Sequence, residues 1–166
     1  MVDTYMEHLV KKKAESKDIA LRVAGWFLTV LSLPLGLMID PLLFLVTLAL
    51  FFVTKYLIYP ATDLEYEYLY CDKVLSVDKI LAKESRKKVA EYELDRIEII
   101  APANSPRLVE YNKKELKTIN LWSLDDSDGH VPMVVIYEGN QKIVLDLPIE
   151  FVKIIQNNAP RKVFLD

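Results

Sequence analysis

Few residues in this chain have the types and spacing that chemistry needs. The two histidines, His8 and His130, stand far apart, and neither has a nucleophile beside it. The single cysteine, Cys71, has no histidine near it in sequence to take its proton, and a small residue at a strand end is the plainer description. One cysteine also excludes an internal disulfide framework and fits a reducing compartment. The acidic run Asp125, Asp126, Ser127, Asp128, Gly129 suggests a calcium loop, because closely spaced carboxylates are what a hard cation needs. Aligning Gly129 with the glycine of such a loop, however, puts Leu124 where the first carboxylate must stand and Val135 where the bidentate glutamate must. A polar turn with Gly129 at positive φ is the reading that remains. No glycine-rich phosphate loop, metal-spaced Cys/His set or Ser/His/Asp pattern occurs, so the sequence predicts a protein that is not an enzyme, with no catalytic, cofactor-binding or metal site.

The residues most open to a binding role are Lys83, Arg86, Lys87 and Lys88, in a basic turn between two predicted strands. Beside an anionic leaflet each charge would contribute about 1 kcal/mol of attraction, decaying within a Debye length. Glu84, Glu91 and Glu93 offset it, so the same run also reads as a solvated turn. Net charge is −3, from 21 Lys+Arg against 24 Asp+Glu, and offers no basic field for nucleic acid.

The elements that position these residues start from one stretch. From Val23 to Thr54 the only ionisable group is Asp40, beside Pro41. That pattern predicts two membrane-spanning helices joined by a tight turn, within residues 19–59. Counting back to Ile19, the first span is about twenty residues, roughly 30 Å of helix, enough to cross a bilayer. Lys11, Lys12, Lys13, Lys17 and Arg22 flank its start, Lys55 ends the second span, and the Asp40 turn has no Lys or Arg. Orientation follows Lys and Arg near the span ends, so both termini are expected in the cytoplasm. Within the first span Gly25, Thr29, Ser32 and Gly36 share one helical face, where small side chains let another helix approach closely. The second span or a second copy of the chain would fill that role. Pro34 is expected to kink this helix. Intramembrane ionisable groups mark transport and proton relays, and none lies mid-span, so the hairpin reads as an anchor.

From Thr62 the period changes from helical to alternating. In Glu65 to Tyr70 the tyrosines take one face of a strand and the glutamates start the other. Further strands are predicted at Val74–Leu81, Lys88–Leu94, Arg96–Ile100, Lys117–Leu124, Pro132–Glu138 and Lys142–Leu147, with a tight hairpin at Glu138–Gln141. Their expected inward residues include Ala90, Tyr92 and Leu94, Ile119 and Leu121, and Ile143, Leu145 and Leu147. Residues 101–114 read as a loop with one helical turn. Pro148 then opens a helix whose Phe151, Val152 and Ile155 share a face. The expected fold class is α+β: a transmembrane helical hairpin, then a seven-stranded antiparallel β-barrel or sandwich over residues 62–166, closed by a C-terminal helix. Residues 1–18 read as a cytoplasmic lead-in, helical in expectation.

The run EYEYLYCDKVLSVDKILAKESRKKVAEYELDRIEII, Glu65 to Ile100, resembles the opening strands of bacterial pleckstrin-homology-like (PH-like) domains: an aromatic first strand, a second ending in a basic turn, and a third running into a polar-basic-Ile step, here Asp95, Arg96 and Ile97. The whole chain is similar to a family of small bacterial membrane proteins with two spans and such a domain. The resemblance implies a membrane-tethered binding or scaffolding module with no shared catalytic residues. A protein partner in a membrane complex is the first expectation. An anionic-lipid surface module using the Lys83–Lys88 turn, and an accessory subunit of a transporter or membrane enzyme, are the alternatives. Lipids and a possible homo-oligomer complete the expected partners, and nucleic acid is not among them.

Overall fold

The computed structural model describes residues 5–124 and 131–166. In chain order, strand β1 (Met6–Lys11) leads into helix α1 (Ser16–Met38). Helix α2 (Leu43–Val53), a π-helical turn (Thr54–Ile58) and α3 (Tyr59–Thr62) then run on as one apolar helix of 20 residues. Strands β2 (Leu64–Cys71), β3 (Val74–Leu81), β4 (Ser85–Glu93) and β5 (Ile97–Pro102) follow, then the short α4 (Val109–Asn112), β6 (Lys117–Leu121), β7 (Met133–Tyr137), β8 (Gln141–Leu145) and helix α5 (Ile149–Asn158). Two compact units result. One holds residues 13–64 with the turn segment 80–85; the other holds β1 and the remaining strands and helices.

In the two-helix unit, α1 starts with a reciprocal cap, Glu15 N–H donating to Asp18 Oδ2 at 3.2 Å while the Glu15 side chain accepts from the Asp18 amide. The chain reverses at Asp40, whose Oδ1 accepts from the Leu42 amide at 2.8 Å, a local bond that suits aspartate to a turn. Pro34 lies inside α1, which continues past it. A core helix of a soluble protein would be mostly covered; here only 17% and 11% of the most apolar windows of the two helices are buried. Leu37, Met38 and Leu42 are 78%, 84% and 68% exposed.

The other unit is a two-sheet sandwich. The first sheet has the order β1-β2-β3-β4 and the second β5-β7-β8-β6. The lead-in expected to be helical is therefore a strand: β1 pairs antiparallel with β2 from Met6↔Tyr70 to Lys11↔Glu65. Long-range pairing overrides local preference here, since Met6 and Val10 pack on the core while Glu7, Leu9 and Lys11 alternate outward. The β2–β3 and β3–β4 turns each carry two consecutive residues at positive φ, Asp72 and Lys73, then Ala82 and Lys83, the backbone that lets strands reverse without splaying.

The expectation of seven antiparallel strands in a barrel or sandwich is corrected in strand number, direction and closure, while the two-sheet arrangement stands. The described residues form eight strands in two sheets of four, with no closure into a barrel. Moreover β6 runs parallel to β8, with Ile119 opposite Ile143. The cause is the 103–116 connection, which carries the chain from β5 at one edge to β6 at the other and sets β6 down without a hairpin partner. The strand expected over Lys117–Leu124 ends at Leu121, and the acidic run from Asp125 to Gly129, with His130, lies outside the described residues.

The main core lies between the sheets and α5. Tyr68, Tyr70, Leu75, Ile97, Leu145 and Phe151 are all at most 1% exposed. Of the expected inward residues, Tyr92, Leu94, Leu121, Ile143, Leu145 and Leu147 are in this core, and Ala90 and Ile119 pack on its margin. Burying a ring such as Phe151 contributes about 2–3 kcal/mol, so α5 is held by the residues that gave it an apolar face. A second cluster, Ile99, Ala101, Leu108, Val134, Ile136 and Val144, is roofed by Tyr111, Leu116, Trp122 and Phe164. Covering both faces of the sheet explains why β7 reads as the unbroken apolar run MVVIY.

Candidate functional site

Three groups of side chains have the geometry to do more than fill space. The first is the seam between the two long helices. A Cβ added at Gly25 would sit 2.9 Å from Thr54 Oγ1 and 3.1 Å from Ile58 Cδ1, and one at Gly36 would sit 3.3 Å from the Phe44 ring. The helices approach so closely that at Gly25 a Cβ would force a neighbour to move, and at Gly36 it would need the Phe44 ring to give slightly. Thr29 Oγ1 donates to Gly25 O at 2.8 Å and Ser32 Oγ to Thr29 O at 2.8 Å, so the seam's hydroxyls are satisfied within their own helix. The predicted packing face of Gly25, Thr29, Ser32 and Gly36 is thus engaged by the chain's own second helix, with Ser32 only half-buried at its margin.

The second group closes the seam at its charged end. Arg22 Nε donates to Thr62 Oγ1 at 2.7 Å, its guanidinium lies 5.0 Å from the centre of the Tyr59 ring, and Nη2 stands 3.9 Å from Asp63 Oδ1. Thr62 Oγ1 itself donates to Ile58 O at 2.8 Å. The Ala82 amide donates to Asp63 O at 2.8 Å, so the β3–β4 turn belongs to the same unit as these helix ends.

The third group crosses the outer face of the first sheet, one residue per strand. On β1, Glu7 pairs with Leu69, two residues along β2 from Glu67, and Tyr5 Oη donates to Glu7 Oε2 at 2.7 Å. Arg86 at the start of β4 forms an ion pair with Glu67 and donates from Nε to Asp78 Oδ2, on β3, at 2.7 Å. Glu67 is 5% exposed and Asp78 8%. Neither Glu67 Oε2 nor Asp78 Oδ1 has an aligned hydrogen bond among the described residues, although the former lies against the Arg86 guanidinium. Burial pushes the Glu67 carboxyl above the usual carboxylate range, helped by Glu7 and opposed by Arg86, whereas the bond from Tyr5 holds Glu7 low.

These contacts divide the predicted basic turn. Arg86 is committed to Glu67 and Asp78, and Lys88 pairs with Glu91 three residues on. Lys83 and Lys87 are exposed and make no ion pair among the described residues. Lys83 lies in the helix unit and Lys87 in the domain. Sequence reading missed the carboxylate row. Its only signal was Glu65 and Glu67, taken as solvent-facing, and both are covered once β1 is in place.

The remaining candidates are structural. His8 sits on β1 with its ring stacked 6.4 Å from Tyr68. Tyr68 Oη donates to Leu121 O at 2.5 Å and accepts from the Asp146 amide at 3.3 Å, while Asp146 Oδ2 accepts from the Ser123 amide at 2.6 Å, tying β2 to the second sheet. Burial raises the Tyr68 hydroxyl well above its ordinary value. Cys71 is exposed at the end of β2. Among the described residues no group of three or more His, Cys, Asp or Glu could hold a metal ion. An apolar groove of about 680 Å³ runs beside Met133, Leu147, Pro148, Ile149, Val152 and Leu165, and a cleft of about 310 Å³ lies beside Lys73, Asp95, Arg161 and Lys162. Lys162 Nζ is used internally, donating to Leu94 O at 3.0 Å and Asp95 O at 2.8 Å.

Compared with known proteins, no curated protein and no solved structure matches the chain. The profile of the family described as Bacterial PH-like domain (DUF6106) matches residues 2–165. That span takes in β1, both long helices and all the later strands, so the chain belongs to the DUF6106 family of bacterial PH-like domain proteins.

Proposed function

We propose that this is an integral membrane protein in which a two-helix anchor is inserted between the first and second strands of a PH-like domain, and that the domain is a non-enzymatic binding module held at the cytoplasmic membrane surface. The observation that carries the reading is the β1–β2 ladder. Lys11 is paired with Glu65, so the chain leaves the domain for the anchor and re-enters it at neighbouring positions. An anchor that leaves and returns at one place needs an even number of spans, and two exposed apolar helices with a glycine seam supply them. The Lys and Arg residues gathered at the domain end of the anchor favour the cytoplasm for both termini. The test is cysteine accessibility in intact bacterial cells. With Cys71→Ala as background, Asp40→Cys is expected to react with a membrane-impermeant maleimide from outside. Native Cys71 is expected to react only after permeabilisation. Labelling of Cys71 in intact cells would reverse the topology.

A second reading, contact with anionic lipid headgroups, is favoured at one residue of the basic turn. Lys83 makes no ion pair among the described residues and lies in the same compact unit as the helix ends, where the Ala82–Asp63 bond holds its turn. Native mass spectrometry of the protein released from anionic nanodiscs is expected to show retained lipid weakened about fivefold by Lys83→Gln, the equivalent of about 1 kcal/mol for the one charge removed. Lys87→Glu is expected to leave it unchanged. Equal loss in both variants, or none in either, would remove the headgroup contact from Lys83.

A further inference from the structure

The two sheets differ in how their edges are finished. At the β5 edge of the second sheet the C-terminal segment runs alongside, the Ile100 amide donating to Lys162 O and the Phe164 amide to Ile100 O, both at 2.8 Å. The β4 edge of the first sheet has no such cover: β4 pairs with β3 alone among the described residues. A strand paired on one side presents free amides and carbonyls on the other, a template for a further strand. β4 is nine residues long, the longest strand of the sandwich, and its charges are sorted along it. Arg86, Lys87 and Lys88 fill the first half, Glu91 and Glu93 the second, and Val89, 38% exposed, lies between them. Lysines alone would blunt the edge. A basic half followed by an acidic half is instead complementary to its own reverse. The other open edges fit less well. β1 has six residues, with Glu7 held by Tyr5 Oη and Lys11 partnered within the chain. β6 has five residues and a single charge, Lys117.

We propose that the β4 edge is a homodimer surface, on which two copies of the chain join antiparallel β4 strands about a two-fold axis at Val89. In that register Val89 meets its own copy, Lys87 stands opposite Glu91 and Ser85 opposite Glu93, and the symmetry repeats each pair. Opposite charges facing across strands attract, whereas a parallel arrangement would set lysine on lysine and glutamate on glutamate. The pairs already present leave this match open. Arg86 is spent on Glu67 and Asp78 and takes no part. Lys88 with Glu91 and Arg96 with Glu93 are exposed pairs within the chain, which contribute little and exchange readily for partners across the axis. Lys87 makes no ion pair among the described residues, and the dimer gives it one. The two open β4 edges are closed in the same step, and the two first sheets become one continuous sheet. This surface goes beyond membrane anchoring, and it depends on neither the bilayer nor the orientation of the helices.

The experiment uses the full chain in mild detergent, followed by sedimentation equilibrium over a range of protein concentrations. The unaltered chain is expected as an equilibrium of monomer and dimer. Lys87→Glu with Lys88→Glu makes the exposed charges beyond Arg86 all acidic, and Glu91→Lys with Glu93→Lys makes them all basic. Each double variant alone is expected to dimerise at least about tenfold more weakly, because cross-strand pairs that attracted now repel. Mixed in equal amounts, the two variants are expected to regain the affinity of the unaltered chain, a recovery that a folding defect would not give. The four side chains are exposed, and Arg86 stays in place to hold Glu67 and Asp78. Strand direction is read by cross-linking in a Cys71→Ala background. Val89→Cys is expected to give an intermolecular disulfide on oxidation, since its copies lie about 5 Å apart across an antiparallel pair. Glu93→Cys is expected to give none, because eight residue steps at about 3.4 Å separate its copies by roughly 27 Å. A chain that stays monomeric at every concentration would overturn the proposal. So would a dimer that neither double variant weakens, a mixture that stays dissociated, or cross-linking at Glu93→Cys as strong as at Val89→Cys.

Discussion

A chain in which residues 13–63 are replaced by an Asn-Gly turn between Lys12 and Leu64 is expected to fold as a water-soluble PH-like domain, whereas residues 64–166 alone are not. The register supports the splice. Lys11 lies opposite Glu65, so Lys12 and Leu64 fall opposite one another, and a two-residue turn with both φ positive is the shortest connection between paired antiparallel strands. Without β1 the domain loses Met6 and Val10 from the core margin and the His8 ring from Tyr68. At roughly 25 cal/mol per Å² of apolar surface this removes on the order of several kcal/mol, against a total of about 5–15 kcal/mol for a domain. It also turns β2, whose Tyr66, Tyr68 and Tyr70 are in the core, into an open sheet edge that invites aggregation. Near-ultraviolet circular dichroism and thermal unfolding of the two proteins decide the matter. Equal cooperative transitions would mean that β1 contributes nothing to the domain.

Gly25→Leu is expected to force the two long helices apart, at a cost of about 1–3 kcal/mol from overpacking alone. The obstacle is specific. The new Cβ would fall 2.9 Å from Thr54 Oγ1 and 3.0 Å from Thr54 Cγ2. Thr54 is 1% exposed and begins the π-helical turn, so it cannot swing outward without moving backbone. At Gly36 the corresponding neighbour is the ring of Phe44, at 3.3 Å and partly exposed, and Gly36→Ala should be accommodated by a small ring shift. Because Arg22 meets Thr62 one turn from Gly25, loss of the seam also loosens the Arg22–Thr62 bond. Thermal denaturation in mild detergent is expected to rank Gly25→Leu far below Gly36→Ala. A reversed ranking would place the tight crossing elsewhere along the helices.

These expectations depend on placements that sequence made legible to different degrees. The apolar run from Val23 to Thr54 announced two helices because it is long, apolar and broken only at Asp40 and Pro41, and Gly25, Thr29 and Gly36 announced the seam by spacing alone. The meander from Leu64 to Glu93 was legible from alternation, and α5 from the spacing of Phe151, Val152 and Ile155. β1 was not legible. Six residues with two charges next to a lysine run look like solvated chain, and only the waiting edge of β2 makes them a strand. The parallel placement of β6 was hidden for the same reason, since strand direction depends on where a long connection lands and not on the residues of the strand.

The candidate sites divide along that line. Sequence by itself determined the two apolar helices with their glycine seam and the basic residues able to bind anions, because these follow from composition, periodicity and local spacing, while the resemblance of Glu65 to Ile100 pointed to the family. Tertiary structure alone decided that the two apolar helices interrupt a domain between paired strands, and that Arg86 is spent on Glu67 and Asp78 while Lys83 stays free of ion pairs among the described residues. The contacts behind these placements join different strands, from Asp78 and Arg86, eight positions apart, to Lys11 and Glu65, more than fifty apart. A charge run does not reveal which of its members will be neutralised, because the neutralising carboxylates arrive on other strands, in a register set by the core beneath them.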